Sequence, residues 1–148
     1  MNTSKNNDLD ASLVEVKKQI RNSEFRAAAE HLQRLLLSSP EHIDVHYLLA
    51  VCQRKLERHL EALSTLKLLM KINPKHTHAL QEFAYNYQAL GQNAEAIDAF
   101  EKAVSINPAL HGAWNALAHM QDYPERENAQ RQWQWLHSLP PELVSVSS

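Results

Sequence analysis

The sequence predicts an all-α protein built from repeated helix pairs, and three observations carry that prediction. Pro40, Pro74 and Pro108 are evenly spaced along the chain. Between them, apolar residues recur at helical spacing, as in Ala62, Leu63, Leu66, Leu69 and Met70, and again in Ala96, Ile97, Phe100, Ala103 and Val104. Finally, two glycines and 6 prolines among 148 residues are too few for the tight turns that many short strands need, while helix formers are plentiful. The period extends beyond the prolines: Ala28, Ala62 and Ala96 share a register, as do Leu32, Leu66 and Phe100, and Leu49, Phe83 and Leu117. Self-similarity at a fixed step marks a repeat array.

Taken in order, residues 1–8 carry no large apolar side chain after Met1 and are expected to be disordered. Residues 9–42 form a degenerate first repeat, in which Phe25, Ala28, Leu32 and Pro40 fit the register and Leu13, Val16 and Ile20 fit after a one-residue slip. Residues 43–76 and 77–110 are the regular repeats. In each, an Asn-Pro pair ends the second helix, because the residue before proline is pushed out of the α region and Asn tolerates a left-handed cap. Leu90-Gly91 ends a first helix with a residue free to take positive φ. The matching residue one repeat earlier is Glu57, so that turn either bears a left-handed non-glycine residue at about 1 kcal/mol or closes differently. Small residues at Ala50 and Ala62, and at Ala84 and Ala96, predict close approach within each pair. Residues 111–141 begin a fourth repeat with Trp114, Leu117 and Ala118, then depart from the register at Asp122-Tyr123-Pro124. There Pro124 suits the first position of the last helix. Trp114 and Trp133 are expected in the core, and Trp135 on another face. The tail, residues 142–148, reads as the start of a further helix, which suggests a piece of a longer repeat protein.

A helix-turn-helix unit with a period of about 34 residues resembles the tetratricopeptide repeat. Residues 77–110 carry the resemblance most fully, through Leu80, Phe83, Ala84, Tyr87, Gly91, Ala96, Phe100, Ala103 and Pro108. It implies a right-handed superhelical array of about four antiparallel helix pairs whose first helices line a concave, ligand-binding face. Carried over to this chain, that face comprises Tyr47, Val51, Arg54 and Lys55, then Gln81, Tyr85 and Gln88, then Asn115 and His119, with Lys18 and Arg21 joining through the slipped first repeat. The family's carboxylate-clamp version is not matched, since the third repeat offers Gln81 and Glu82. Residues Trp133-Gln134-Trp135 and Leu139-Pro140-Pro141-Glu142-Leu143 also resemble the repeat region at the start of bacterial sulfotransferases that carry these repeats. That resemblance implies a substrate-positioning or dimerisation role, with the catalytic domain beyond residue 148.

Charge is uneven along the chain. Residues 1–75 hold 12 Lys plus Arg against 9 Asp plus Glu, a balance of +3, and residues 76–148 hold 3 against 8, a balance of −5. One reading is that Lys18, Arg21, Arg54 and Lys55 hold an acidic peptide or a free carboxylate. The other is that they are solvated helix faces. His119, on the implied concave face, would make binding depend on pH. Nine histidines are many for this length, and His42, His76 and His78 fall at interhelical bends, yet no carboxylate or thiol is placed with them at ligand spacing. They are expected to be exposed, and no metal is expected.

A single cysteine, Cys52, excludes an internal disulfide and is expected to be a packing residue. With neither a nucleophile beside a base nor a glycine-rich phosphate loop, no catalytic residue and no cofactor is expected. A formal charge of −2 gives no global attraction for nucleic acid or anionic lipid, and no leader or membrane span is evident, so the expected compartment is the cytoplasm. The expected partner is a protein or peptide, and exposed terminal helices leave a homodimer open as an alternative.

Overall fold

The computed structural model describes residues 2–140 and residue 142. Among the described residues there are eight α-helices and no strand: α1 (Asn2–Arg21), α2 (Phe25–Ser38), α3 (Ile43–Lys55), α4 (His59–Ile72), α5 (Thr77–Ala89), α6 (Asn93–Ile106), α7 (His111–His119) and α8 (Arg126–Ser138). They fall into two compact units, Met1–Pro74 with α1 to α4 and Lys75–Ser148 with α5 to α8. Short connections make successive helices of a unit antiparallel neighbours: α1 packs on α2, α2 on α3 and α3 on α4, then α5 on α6, α6 on α7 and α7 on α8. The chain is an all-α helical repeat array.

In the first unit Leu13 and Val16 of α1 meet Ala28, Ala29 and Leu32 of α2 and Val45, Leu49 and Cys52 of α3 in one buried cluster. The second unit buries Ala96, Phe100 and Ala103 of α6, Leu117 and Ala118 of α7, and Ala129 and Leu136 of α8. Ala50 and Ala62 are fully buried in the α3/α4 pair, and Ala84 and Ala96 in α5/α6. A large residue at any of these four positions would overpack its pair by about 1 to 3 kcal/mol.

Helix α1 begins at Asn2, so residues 2–8 are helical where disorder was expected. Leu9 packs against the core cluster one turn before Leu13. The helix is therefore already formed at residue 9, and extending it through polar residues avoids the costly nucleation step.

The first-helix ends follow one design, repeated at matching positions of successive repeats: Ser23 (φ 61°), Glu57 (φ 61°) and Gly91 (φ 77°) are left-handed. Each turn closes with the same pair of backbone bonds. Glu57 N donates to Arg54 O at 2.9 Å and Arg58 N to Gln53 O at 2.8 Å; Gly91 N donates to Gln88 O at 3.0 Å and Gln92 N to Tyr87 O at 2.8 Å. Of the two ways open to it, Glu57 takes the left-handed one.

The Asn-Pro stops differ from expectation. Asn73 and Asn107 are extended, at φ −138° and −130°, because the following proline excludes the helical region and favours β over a left-handed cap. Asn107 Oδ1 instead accepts a hydrogen bond from Ala109 N at 3.1 Å, an Asx turn.

Helix α7 has nine residues against 13 in α3 and α5. Met120 leaves helical geometry at ψ 117°, and buried Tyr123 ties the loop to α6 by donating to Glu101 Oε2 at 3.2 Å. Pro124 is not the first residue of α8. Arg126 N donates to Tyr123 O at 3.2 Å, placing Pro124 second in a β-turn, where its fixed φ also fits. The further helix expected over 142–148 falls, apart from Glu142, outside the described residues, as does Pro141. Among the described residues no helix is long and apolar enough to cross a membrane.

Candidate functional site

Each unit presents its own set of the sequence-selected residues. On α3, Tyr47, Val51, Arg54 and Lys55 form one stripe, opposite the buried Val45, Leu49 and Cys52. Tyr47, Val51 and Arg54 are half-buried and Lys55 is exposed. Lys18 and Arg21 are exposed in the last turn of α1, as Arg54 and Lys55 occupy the last turn of α3. Both helices run antiparallel to α2, so all four cations sit at one end of the first unit. That end also carries the negative poles of two helix dipoles, which favour cations regardless of any ligand.

In the second unit Gln81, Tyr85 and Gln88 project from α5, and Asn115 and His119 from α7. Gly112 sets the spacing between these sets, since a Cβ there would lie 2.9 Å from both Gln81 Oε1 and Tyr85 OH. Only a residue without a side chain fits α7 against them unshifted. Tyr85 is braced edge-on by Phe100, with ring centroids 5.5 Å apart. Gln81 Oε1 is buried without a hydrogen-bond partner.

Gln88, Asn115 and His119 converge on an open pocket of about 490 Å³, completed by Ala116, Met120 and Trp133. His119 Nδ1 lies 2.8 Å from the Asn115 carbonyl oxygen. A carbonyl only accepts, so Nδ1 carries a proton and donates here, which leaves Nε2 for a second hydrogen bond. The Trp133 indole meets His119 edge-on at 6.1 Å and stacks on His137 at 5.4 Å. Gln130 Nε2 donates to Ala118 O at 3.3 Å, tying α8 to α7 beneath the pocket. An aromatic wall, two side-chain amides and an imidazole suit a peptide, with its alternating polar backbone and apolar side chains.

Several expectations need correction. Trp133 is half-buried and walls the pocket rather than filling the core, which Ala129 and Leu136 fill from α8. Trp114 is also half-buried, because its indole N–H reaches out to the Pro108 carbonyl oxygen at 2.7 Å. The bend histidines are not simply exposed. His42 Nδ1 accepts from Val45 N at 3.3 Å and His76 Nδ1 from Ala79 N at 3.0 Å, so both cap helix N-termini. His46 is buried and binds the Pro40 carbonyl oxygen through Nε2 at 2.8 Å. Cys52 is fully buried, and burial pushes its thiol up to about 11, which keeps it protonated and unreactive. Met120 and Trp133 were missed as site residues. The spacing pattern gives Trp133 as core and does not single out Met120, and nothing in it distinguishes a pocket wall from a core position.

Antiparallel helix pairs repeating at a fixed interval define a helical-repeat interaction fold. Two family models, each described as tetratricopeptide repeat, match residues 19–84 and 77–110, together more than half of the chain, and the chain belongs to the tetratricopeptide-repeat family. Similar solved structures show the same fold. A MamA crystal structure is 18% identical, with 92% of this chain and 80% of that one covered and a TM-score of 0.74. PcrH, solved in complex with the chaperone-binding region of PopD, is 13% identical, with 90% and 93% covered and a TM-score of 0.66. The first such domain of human RPAP3 is 17% identical, with 87% and 97% covered and a TM-score of 0.67. No curated protein matches the chain.

Proposed function

We propose that this chain is a protein-interaction scaffold that binds a peptide or protein segment on the faces formed by the first helices of its repeats. The carrying observation is the convergence of Gln88, Asn115 and His119 with Trp133 and Met120 on one open pocket. The family supports the reading, and so does PcrH, whose structure holds a segment of another protein. The cations Lys18, Arg21, Arg54 and Lys55 favour an acidic partner at the first unit. Reversing two of the three exposed ones, Lys18→Glu with Lys55→Glu, tests that part: binding of an acidic partner should weaken and lose salt dependence while the fold persists. Unchanged affinity assigns these residues to helix-end electrostatics alone.

The scaffold reading takes the chain as cytoplasmic and non-enzymatic, with buried Cys52 as a packing residue. The reading as a substrate-positioning or dimerisation region of a longer bacterial sulfotransferase rests on the sparse N-terminal repeats and on the sequence of residues 133–143. A second reading, self-association, is favoured by Trp135, which is 60% exposed on α8. Sedimentation equilibrium decides it, since a concentration-dependent mass should fall to monomer with Trp135→Ala.

A further inference from the structure

The face of α5 that carries Leu80, Phe83 and Tyr87 lies roughly 130° around the helix from the one that carries Gln81, Tyr85 and Gln88. It opens on a separate cavity of about 440 Å³ between α5 and α6. Phe83 and Tyr87 line it with rings stacked at 6.1 Å and inclined by only 19°, both half-buried, over a buried Leu80. The α6 side of the cavity presents Glu95, Asp98 and Lys102.

These charges are poorly compensated within the chain. Asp98 pairs with Lys102 at 3.3 Å, but the two side chains are 67% and 63% exposed, and an exposed pair one helical turn apart holds only weakly. Glu95 takes no cation among the described residues. Its place in the first turn of α6 suits the helix dipole. Asp98 lies beyond that turn, so the dipole does not account for it. Across Lys75–Ser148, 4 Lys plus Arg face 8 Asp plus Glu, so the unit as a whole attracts cations.

We infer that this cavity is a second docking site, one that takes an arginine-bearing segment of a partner protein. The arginine stem lies along Phe83 and Tyr87, and its guanidinium reaches Glu95 and Asp98 across the ring faces. Arginine fits better than lysine, because its planar fork both stacks on an aromatic face and bonds two carboxylates. An acidic segment is repelled, and a purely apolar one leaves the carboxylates unused. The site goes beyond the pocket of Gln88, Asn115 and His119 and does not depend on it.

The test is an amide chemical-shift titration of the full chain with N-acetyl-arginine N-methylamide. Saturable shifts should appear at Phe83, Tyr87, Glu95 and Asp98. The double variant Glu95→Gln with Asp98→Asn, both positions being exposed, should keep the helical spectrum and bind about tenfold more weakly. N-acetyl-leucine N-methylamide should not saturate these residues. Equal binding by the variant or by the leucine probe would overturn the inference, as would saturable shifts confined to Asn115 and His119. Loss of the arginine site would leave peptide binding at Asn115 and His119 untouched, so the two proposals fail separately.

Discussion

Trp114 donates its indole N–H to the Pro108 carbonyl oxygen at 2.7 Å, six residues back, and ties the start of α7 to the turn before it. His46 makes the same link to Pro40 at 2.8 Å, two repeat lengths earlier in the chain. The same repeat position is thus used twice to satisfy the carbonyl of a proline turn. In the repeat between them the position is Leu80, which has no donor.

Removing the Trp114 donor should therefore cost stability. Trp114→Phe keeps the apolar ring and loses the hydrogen bond, and about 0.5–1.5 kcal/mol should disappear from the urea unfolding free energy. A midpoint equal to that of the parent protein would mean that water replaces the bond without loss.

The three left-handed caps make a matched set. Glu57→Gly and Ser23→Gly relieve a side chain at φ 61° and should each raise stability by about 1 kcal/mol, roughly 2–4 °C in Tm. Gly91→Ala should cost about as much, and through backbone strain alone, because a Cβ there meets nothing within 4 Å. Thermal unfolding of the three variants checks the signs, and a lower Tm for Glu57→Gly would contradict the account of that turn.

His42 and His76 should behave as caps. Their replacement by Ala frees the Val45 and Ala79 amides and should cost about 1 kcal/mol each, whereas replacement by Asp restores an acceptor and should cost little. Denaturant midpoints of the four variants measure this. Equal losses for Ala and Asp would point to ring packing instead.

Burial raises the Cys52 thiol from 9.0 to about 11. The Tyr123 phenol is raised from 10.0 to about 12 by burial first, then by the charge of Glu101 and its hydrogen bond. In both cases the fold favours the neutral form. The stability that this contributes is whole below about pH 9 and drains away as pH rises toward 12, because the unfolded chain releases its protons first. Tyr123→Phe should flatten the upper part of that decline in urea midpoints taken across the alkaline range. A parent protein whose stability does not fall above pH 10 would contradict the sign.

The prolines and alanines made the architecture legible, because an even period with helical spacing inside it admits few folds. Features that depend on geometry between side chains were harder to read. Whether Glu57 would turn left-handed was open, since helix propensity and cap strain oppose one another at about the same size. The start of α1 was hidden because polar residues leave no periodic mark, although Leu9 anchors that end. His42 and His76 show the same residue type whether they bind metal or cap a helix, and only the bonds to Val45 N and Ala79 N separate the two. Trp133 could not be told from core, because it lies one turn from buried Ala129 and one from buried Leu136.

The most direct measurement of the central claim is an anisotropy titration of a fluorescent peptide recovered by display selection on the full chain, repeated with Asn115→Ala combined with His119→Ala. Both residues are exposed, so the variant should unfold at the same denaturant concentration as the parent. The account predicts an affinity loss of about tenfold or more, equivalent to about 1.4 kcal/mol. An unchanged dissociation constant would contradict it, because the pocket of Gln88, Asn115, His119 and Trp133 would then not be where the partner sits.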